Sequence, residues 1–83
     1  MDELDGNAIA GMLAATFGTE MTTAVGTCTH CGNRSMIAES AVYLCGPGVV
    51  VRCRACGGVL MVFVQVRKIM CVDLRGLAAL DPA

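Results

Sequence analysis

Large apolar side chains near the N-terminus recur at the spacing of an α-helix. They are Ile9, Met12, Leu13 and Phe17, and together they form one stripe along a helix spanning about residues 6–17. Asp5 or Asn7 can cap the start, because a short side-chain oxygen accepts a hydrogen bond from the first turn. Gly18 can end the helix in the left-handed conformation. The pattern predicts one short N-terminal helix.

Small residues form a second ridge on the same helix: Ala8, Gly11 and Ala15. Gly11 costs about 1 kcal/mol relative to alanine inside a helix. The ridge is explained either by close approach of the helix to a sheet or another helix, or simply by an alanine-rich composition.

From residue 21 onward, β-branched and aromatic residues predominate, which favours strands. The predicted strands span residues 21–27, 36–45, 49–53, 59–67 and 69–74. Gly46-Pro47-Gly48 predicts a hairpin turn. Arg67-Lys68 is a poor turn sequence, so the last two strands could also form one long bent strand. The segment 76–83 contains Pro82 and is expected to be frayed.

The segment Val59–Val66 is apolar at nearly every position, with Gln65 the exception. A strand with one wet face would alternate apolar and polar residues. We therefore expect both faces to be covered, one by the N-terminal helix and the other by a second copy or a partner protein. The alternative is a strand wholly buried within one chain.

The length of 83 residues predicts a single domain, comprising a helical segment 1–20, a β segment 21–75 and a tail 76–83. A chain this short has a thin core, and small domains commonly add metal or disulfides. The N-terminus is acidic where an export signal would be basic. The longest apolar run, residues 59–64, is far shorter than the ~20 residues of a membrane helix. We therefore expect a cytoplasmic protein without membrane association, whose six cysteines are reduced.

Four of the cysteines follow the pattern C-x2-C-x21-C-x2-C: Cys28, Cys31, Cys53 and Cys56. Two intervening residues let the chain curl so that both sulfurs of a pair reach one ion. Gly32 and Gly57 follow the pairs directly and permit a positive φ, which turns the backbone N–H groups toward the sulfurs. One such pair is a weak signal, but two pairs joined by a predicted hairpin indicate a tetrahedral four-cysteine site for Zn²⁺.

These two CxxCG knuckles resemble those of the zinc ribbon superfamily, over about residues 21–75. The resemblance implies a small α+β, mainly antiparallel fold, with the helix packed on a sheet of four or five strands and Cys28, Cys31, Cys53 and Cys56 as zinc ligands. Thr29 and Arg54 stand where such knuckles commonly have proline. The whole chain is similar to small uncharacterised zinc-ribbon proteins of bacteria with GC-rich genomes, through Leu4–Asn7, Phe17-Gly18 and the stretch 47–53. Rubredoxins share only the knuckles and pack aromatics around iron, so iron is the less favoured metal.

Three further residues stand apart from this pattern. His30 lies inside the first knuckle, where intervening side chains usually point away from the metal, so we expect an exposed bystander or a contact to a partner. Cys45 and Cys71 lack ligand spacing and are expected to pack as small apolar residues. A reversible disulfide between them, or a redox-sensing role, is the alternative.

The sequence argues against an enzyme. A single histidine cannot supply an acid–base pair, and four thiolates leave zinc no open position. We expect a non-catalytic protein-interaction or regulatory module. Nucleic-acid binding is the first alternative, through the six basic residues Arg34, Arg52, Arg54, Arg67, Lys68 and Arg75. Net charge is only −1 and aromatics are few, which weakens that alternative. A thiol-based redox or zinc sensor is the second.

Overall fold

The computed structural model describes residues 3–81. The strands are β1 (Glu3–Asp5), β2 (Val25–Cys28), β3 (Arg34–Met36), β4 (Ala41–Cys45), β5 (Gly48–Arg52), β6 (Val59–Val66), β7 (Ile69–Asp73) and β8 (Leu77–Asp81). The helix α1 spans Ala10–Phe17 and follows a 3₁₀ turn at Gly6–Ile9, and a second 3₁₀ turn covers Ile37–Glu39. Within this part of the chain, no helix is long and apolar enough to cross a membrane.

The strands form two antiparallel sheets. A five-stranded sheet has the order β1-β4-β5-β6-β7, and a three-stranded sheet has the order β3-β2-β8. The predicted fold class, a short N-terminal helix with mainly antiparallel strands, is confirmed. The hairpin expected at Gly46-Pro47-Gly48 joins β4 to β5, and Gly46 has a φ of 56°.

The N-terminal helix is shorter than predicted, because residues 6–9 form a 3₁₀ turn. Asp5 caps this turn, and its Oδ1 accepts a hydrogen bond from the N–H of Asn7 at 3.0 Å. A Cβ at Gly6 would overlap the carbonyl oxygen of Ile37, so the two 3₁₀ turns lie in direct backbone contact. Gly18 ends α1 with a φ of 75°, as predicted.

The predicted strand 36–45 is wrong in its first half. Residues 37–39 form a 3₁₀ turn, and their N–H groups bond elsewhere: Ile37 donates to the carbonyl of Ala24 and Ala38 to that of Thr22, both at 2.9 Å. The predicted strand 21–27 is also wrong over residues 21–24, which run alongside this turn instead. Only residues 25–28 remain as β2.

The predicted frayed tail is also wrong over its described part. Residues 77–81 form β8, which pairs with β2 from Val25↔Asp81 to Cys28↔Leu77. Leu77 and Leu80 pack against the core, and this burial of apolar surface stabilises the strand. Residues 82 and 83 lie outside the described residues.

The core lies on the inner face of the five-stranded sheet. Its largest fully buried side chains come from the helix, the second 3₁₀ turn and β4–β6: Leu13, Ile37, Val42, Val51, Met61 and Phe63. The helix covers this face as predicted. The ridge of small residues on the helix does not closely approach the sheet at Gly11, since a Cβ there would meet nothing within 4 Å.

The central strand β6 has one covered face and one partly open face. Met61 and Phe63 point into the core, whereas Val62 and Val64 are half-buried and Val66 is exposed. The alternative of a strand wholly buried within one chain is therefore wrong. The coverage of the outer face by a second chain stays a prediction.

Candidate metal centre

The sulfur atoms of Cys28, Cys31, Cys53 and Cys56 all lie within 4.8 Å of one another. The Sγ atoms of Cys28 and Cys56 are 3.7 Å apart, and so are those of Cys31 and Cys53. Each contact joins one knuckle to the other. The structure thus brings together all four residues that the spacing singled out.

Both knuckles have the same backbone hydrogen bonds. In each, the first cysteine accepts from the N–H of the glycine four residues on, and donates to the carbonyl five residues on. In the first knuckle, the N–H of Gly32 donates to the carbonyl of Cys28, and the N–H of Cys28 donates to the carbonyl of Asn33, both at 2.9 Å. In the second knuckle, the N–H of Gly57 donates to the carbonyl of Cys53, and the N–H of Cys53 donates to the carbonyl of Gly58, both at 2.7 Å. The N–H of Gly58 also points at the sulfur of Cys56, at 3.4 Å.

The glycine after each pair adopts the left-handed conformation, as predicted. The φ of Gly32 is 76° and that of Gly57 is 78°. A Cβ at either position would meet no atom within 4 Å. The requirement for glycine at these two positions is therefore conformational rather than steric.

The chemistry of the thiols favours a bound cation. Burial works to raise the pKa of Cys28, but the N–H groups of Cys31 and His30 outweigh it and lower that pKa to about 7. For Cys31, the N–H of Asn33 works to lower the pKa, but burial and the three neighbouring thiols outweigh it and raise the pKa to about 12. One thiol therefore ionises readily, whereas four thiolates can coexist here only around a positive charge.

The spacing of the sulfurs fits a tetrahedral metal ion. With metal–sulfur bonds of about 2.3 Å, the edge of such a tetrahedron is about 3.8 Å. The two distances of 3.7 Å match this edge and are far longer than the ~2.05 Å of a disulfide. The four cysteines could therefore hold one metal ion.

The site lies where the two sheets meet. Cys28 ends β2 in the three-stranded sheet, and Cys53 directly follows β5 in the five-stranded sheet. The first knuckle is further held by the N–H of Thr29, which donates to the carbonyl of Gly76 at 2.9 Å. A metal held by all four sulfurs would join the two sheets.

One comparison with known proteins places the chain in a family. A family model described as "Family of unknown function (DUF6510)" matches residues 1–83. The chain belongs to DUF6510. No curated protein and no solved structure matches it. Because the DUF6510 description assigns no activity, the function of this member is inferred from its own residues.

The lone histidine of this DUF6510 member is outside the sulfur cluster. His30 is exposed, and a Cβ at Gly58 would overlap its imidazole ring. The ring of the first knuckle's His30 therefore lies against the backbone of Gly58, directly after the second knuckle. The spacing of the residues does not predict this contact. The one related feature of the sequence is the second glycine of the pair 57–58, which leaves room for the ring.

Cys45 and Cys71 differ from expectation. Both are exposed, so neither packs as a small core residue. They occupy one row across the sheet, through Gly48 and Val64. Three strand spacings separate them by about 14 Å, whereas a disulfide needs Cα atoms within about 7 Å. A disulfide between them within one chain is therefore excluded.

Four of the six basic residues are engaged with other groups of the chain. Arg34 pairs with Asp81 at 3.2 Å, and Arg75 pairs with Asp73 at 2.7 Å. Arg52 and Arg54 donate to backbone carbonyls near the cysteine cluster. Arg52 donates to the carbonyl of Gly57, and Arg54 donates to those of Glu39 and Ser40. Arg54 therefore joins the second knuckle to residues 39–40, whereas the bond from Arg52 lies within that knuckle.

Proposed function

We propose that this chain is a small zinc-binding protein of the zinc-ribbon type, with one structural four-cysteine site, that serves as a non-catalytic protein-interaction or regulatory module. The observation that carries the proposal is the cluster of four sulfurs within 4.8 Å, built from two knuckles of the same backbone geometry. Cys28, Cys31, Cys53 and Cys56 are the proposed ligands.

Zinc is favoured over other metals by the ligand set. Four thiolates suit a soft or borderline cation in tetrahedral geometry, which leaves zinc and iron as the candidates. Rubredoxin-like iron sites are surrounded by aromatic side chains, whereas this chain has no Trp, one Tyr and two Phe. A zinc-loaded protein is colourless, and visible absorption would identify iron instead.

A structural role follows from the closed ligand shell. Four cysteines leave zinc no open position for water or a substrate, so the ion would supply no Lewis-acid chemistry. Zinc binding in model fingers contributes an apparent ~10–16 kcal/mol to folding. Here it would join β2 to the β5–β6 connection and so stabilise a chain with a thin core.

The nucleic-acid alternative has little support from the arrangement of the cations. Arg34 and Arg75 each pair with an aspartate, and Arg52 and Arg54 bond the backbone near the second knuckle. Binding to single- or double-stranded nucleic acid whose affinity falls with salt concentration, at a slope equivalent to several phosphate contacts, would support this alternative.

The sensor alternative has one observation in its favour. Cys31 and Cys56 are exposed, so an oxidant can reach two of the four thiolates. Release of zinc by mild peroxide, reversed by a thiol reductant, would support this function. Retention of zinc under the same treatment would remove it.

The experiment that tests the main proposal compares ligand and non-ligand cysteines. We expect Cys53→Ser to abolish stoichiometric zinc and to unfold at a lower temperature. Cys45→Ser and Cys71→Ser are matched controls with the same chemical change, and both should retain one zinc per chain. Zinc content that is equal in all three variants would contradict the ligand assignment.

A further inference from the structure

We propose that the chain forms a symmetric dimer in which the outer edge of β7 pairs with the β7 edge of a second copy. The two five-stranded sheets would then form one continuous antiparallel sheet. The inference deepens the proposed function, because it names the partner of the interaction module. It does not depend on which metal is bound.

The first evidence is the exposure of β7. Six large apolar side chains are exposed among the described residues, and three of them lie on this strand. Ile69 is 66% exposed, Met70 37% and Val72 36%. An apolar strand at a sheet edge offers a row of unpaired N–H and C=O groups to another strand.

The opposite edge of the same sheet lacks these features. β1 spans only Glu3–Asp5, and two of its three residues are acidic. Short, charged strands protect an edge from pairing. Residues 69–72 of β7 contain no charge and no proline, so β7 is the edge of this sheet that is suited to pairing.

The register of β7 shows which backbone groups point outward. Residues 67–68 form a two-residue turn, flanked by the pair Val66↔Ile69. In such a hairpin the flanking pair is hydrogen-bonded, and the pattern alternates along the strand. Ile69, Cys71 and Asp73 thus bond to β6, whereas the N–H and C=O groups of Met70 and Val72 face away from it.

This pattern is complementary to itself. A two-fold axis at Cys71 places Met70 opposite the partner's Val72, so that the outward groups of both residues form a hydrogen-bonded pair. Cys71 then faces the partner's Cys71 across a non-hydrogen-bonded position, with Cα atoms about 4.5 Å apart. Facing side chains lie on the same side of the sheet, so the partner's core-facing layer continues this chain's own.

The layer beneath the edge strand also lacks a cover. An apolar groove lies between α1 and β7, lined by Met12, Ala15, Thr16, Met70 and Val72. Pairing of the two β7 strands brings the groove of each copy beside that of the other. Gly11 and Ala15 are exposed on α1, and their small size leaves room for the partner's helix to approach. In the dimer, these small residues of the helix would lie at the contact between the two helices.

The proposed contact is distinct from the one that the sequence predicted through the face of residues 59–66, which stays a prediction. The sequence pointed to residues 59–66 as the interaction strand, but β6 pairs with β5 on one side and β7 on the other. Its backbone has no open edge. The neighbouring β7 provides one.

The test measures the mass of the zinc-loaded full chain by sedimentation over a concentration series. We expect twice the 8.6 kDa of one chain. Val72→Lys should give the monomer mass, because lysine on an edge strand opposes pairing. Val50→Lys is the matched control, since Val50 lies on β5, two strands away, and should leave the dimer intact. A chain that stays at 8.6 kDa at every concentration, or a dimer that survives Val72→Lys, overturns the inference.

Cross-linking provides a second measurement that needs no destabilising change. In the Cys45→Ser variant, a short bismaleimide should link two chains through Cys71. In Cys71→Ser, which retains Cys45, no link should form, because Cys45 lies three strands from the interface. Equal cross-linking of both variants, or of neither, contradicts the proposed register.

Metal analysis of the same samples separates this inference from the proposed function. A zinc-loaded monomer overturns the dimer and leaves the proposed function standing. A dimer that contains no zinc supports the dimer and overturns the proposed zinc site.

Discussion

Replacement of Gly57 by alanine tests the conformational basis of the knuckles. Gly57 has a φ of 78°, and its N–H donates to the carbonyl of Cys53 at 2.7 Å. A Cβ there would meet nothing within 4 Å, so the cost comes only from the left-handed backbone. For residues other than glycine this conformation costs about 1–2 kcal/mol. Because the knuckle forms around the metal, we expect the cost to appear in the binding free energy.

The expected effect on zinc affinity is moderate. A loss of about 1–2 kcal/mol corresponds to binding that is roughly 5- to 30-fold weaker, since about 1.4 kcal/mol is a factor of ten. Competition with a chromophoric chelator measures this ratio. Gly57→Asn should lose less, because asparagine tolerates the left-handed region despite its larger side chain. Gly11→Ala, in the helix, should bind zinc as the parent does.

The order of the alanine and asparagine variants distinguishes side-chain bulk from backbone conformation. If asparagine weakens zinc binding more than alanine does, bulk rather than backbone conformation limits this position. If alanine has no effect, the second knuckle does not require the left-handed turn that the structure shows.

Three further predictions concern stability and charge. Gly6→Ala should lower the free energy of unfolding by about 3 kcal/mol, because the added methyl overlaps a backbone carbonyl; a denaturant titration that shows no loss would contradict this. Arg67 has a φ of 58° in the β6–β7 turn, so Arg67→Gly should raise the unfolding free energy by about 1 kcal/mol in the same assay, and a loss would refute the strain. The hydrogen bonds from Arg75 lower the pKa of Asp73 to about 2, so NMR should show this carboxylate ionised down to about that pH, with Arg75→Gln moving the pKa back up. Its contribution to stability is present above the ordinary carboxyl pKa and is lost as the pH falls through the folded value; an unchanged pKa in Arg75→Gln would contradict the assignment.

The sequence predicted those features of the fold that depend on local pattern. Helical periodicity identified Ile9 and Leu13 as core residues, and both are buried. The Gly46-Pro47-Gly48 turn marked one hairpin. The spacing of the cysteines identified the four sulfurs that meet, because knuckle geometry is set by a few consecutive residues.

The features that were missed depend on distant contacts. Residues 77–81 form a strand only because β2 lies beside them and Leu77 and Leu80 have a core to cover. Residues 37–39 leave the β conformation because their N–H groups reach the 21–24 segment. The exposure of Cys71 depends on which strand ends the sheet, and the strand order of a sheet is not written in any local pattern.

Whether the four sulfurs hold zinc is answered by the metal content of the purified native chain. We expect a colourless protein with one zinc per chain by elemental analysis, and loss of that zinc in Cys53→Ser but not in Cys45→Ser. A native protein without stoichiometric metal, or with iron and visible absorption, would contradict the zinc assignment.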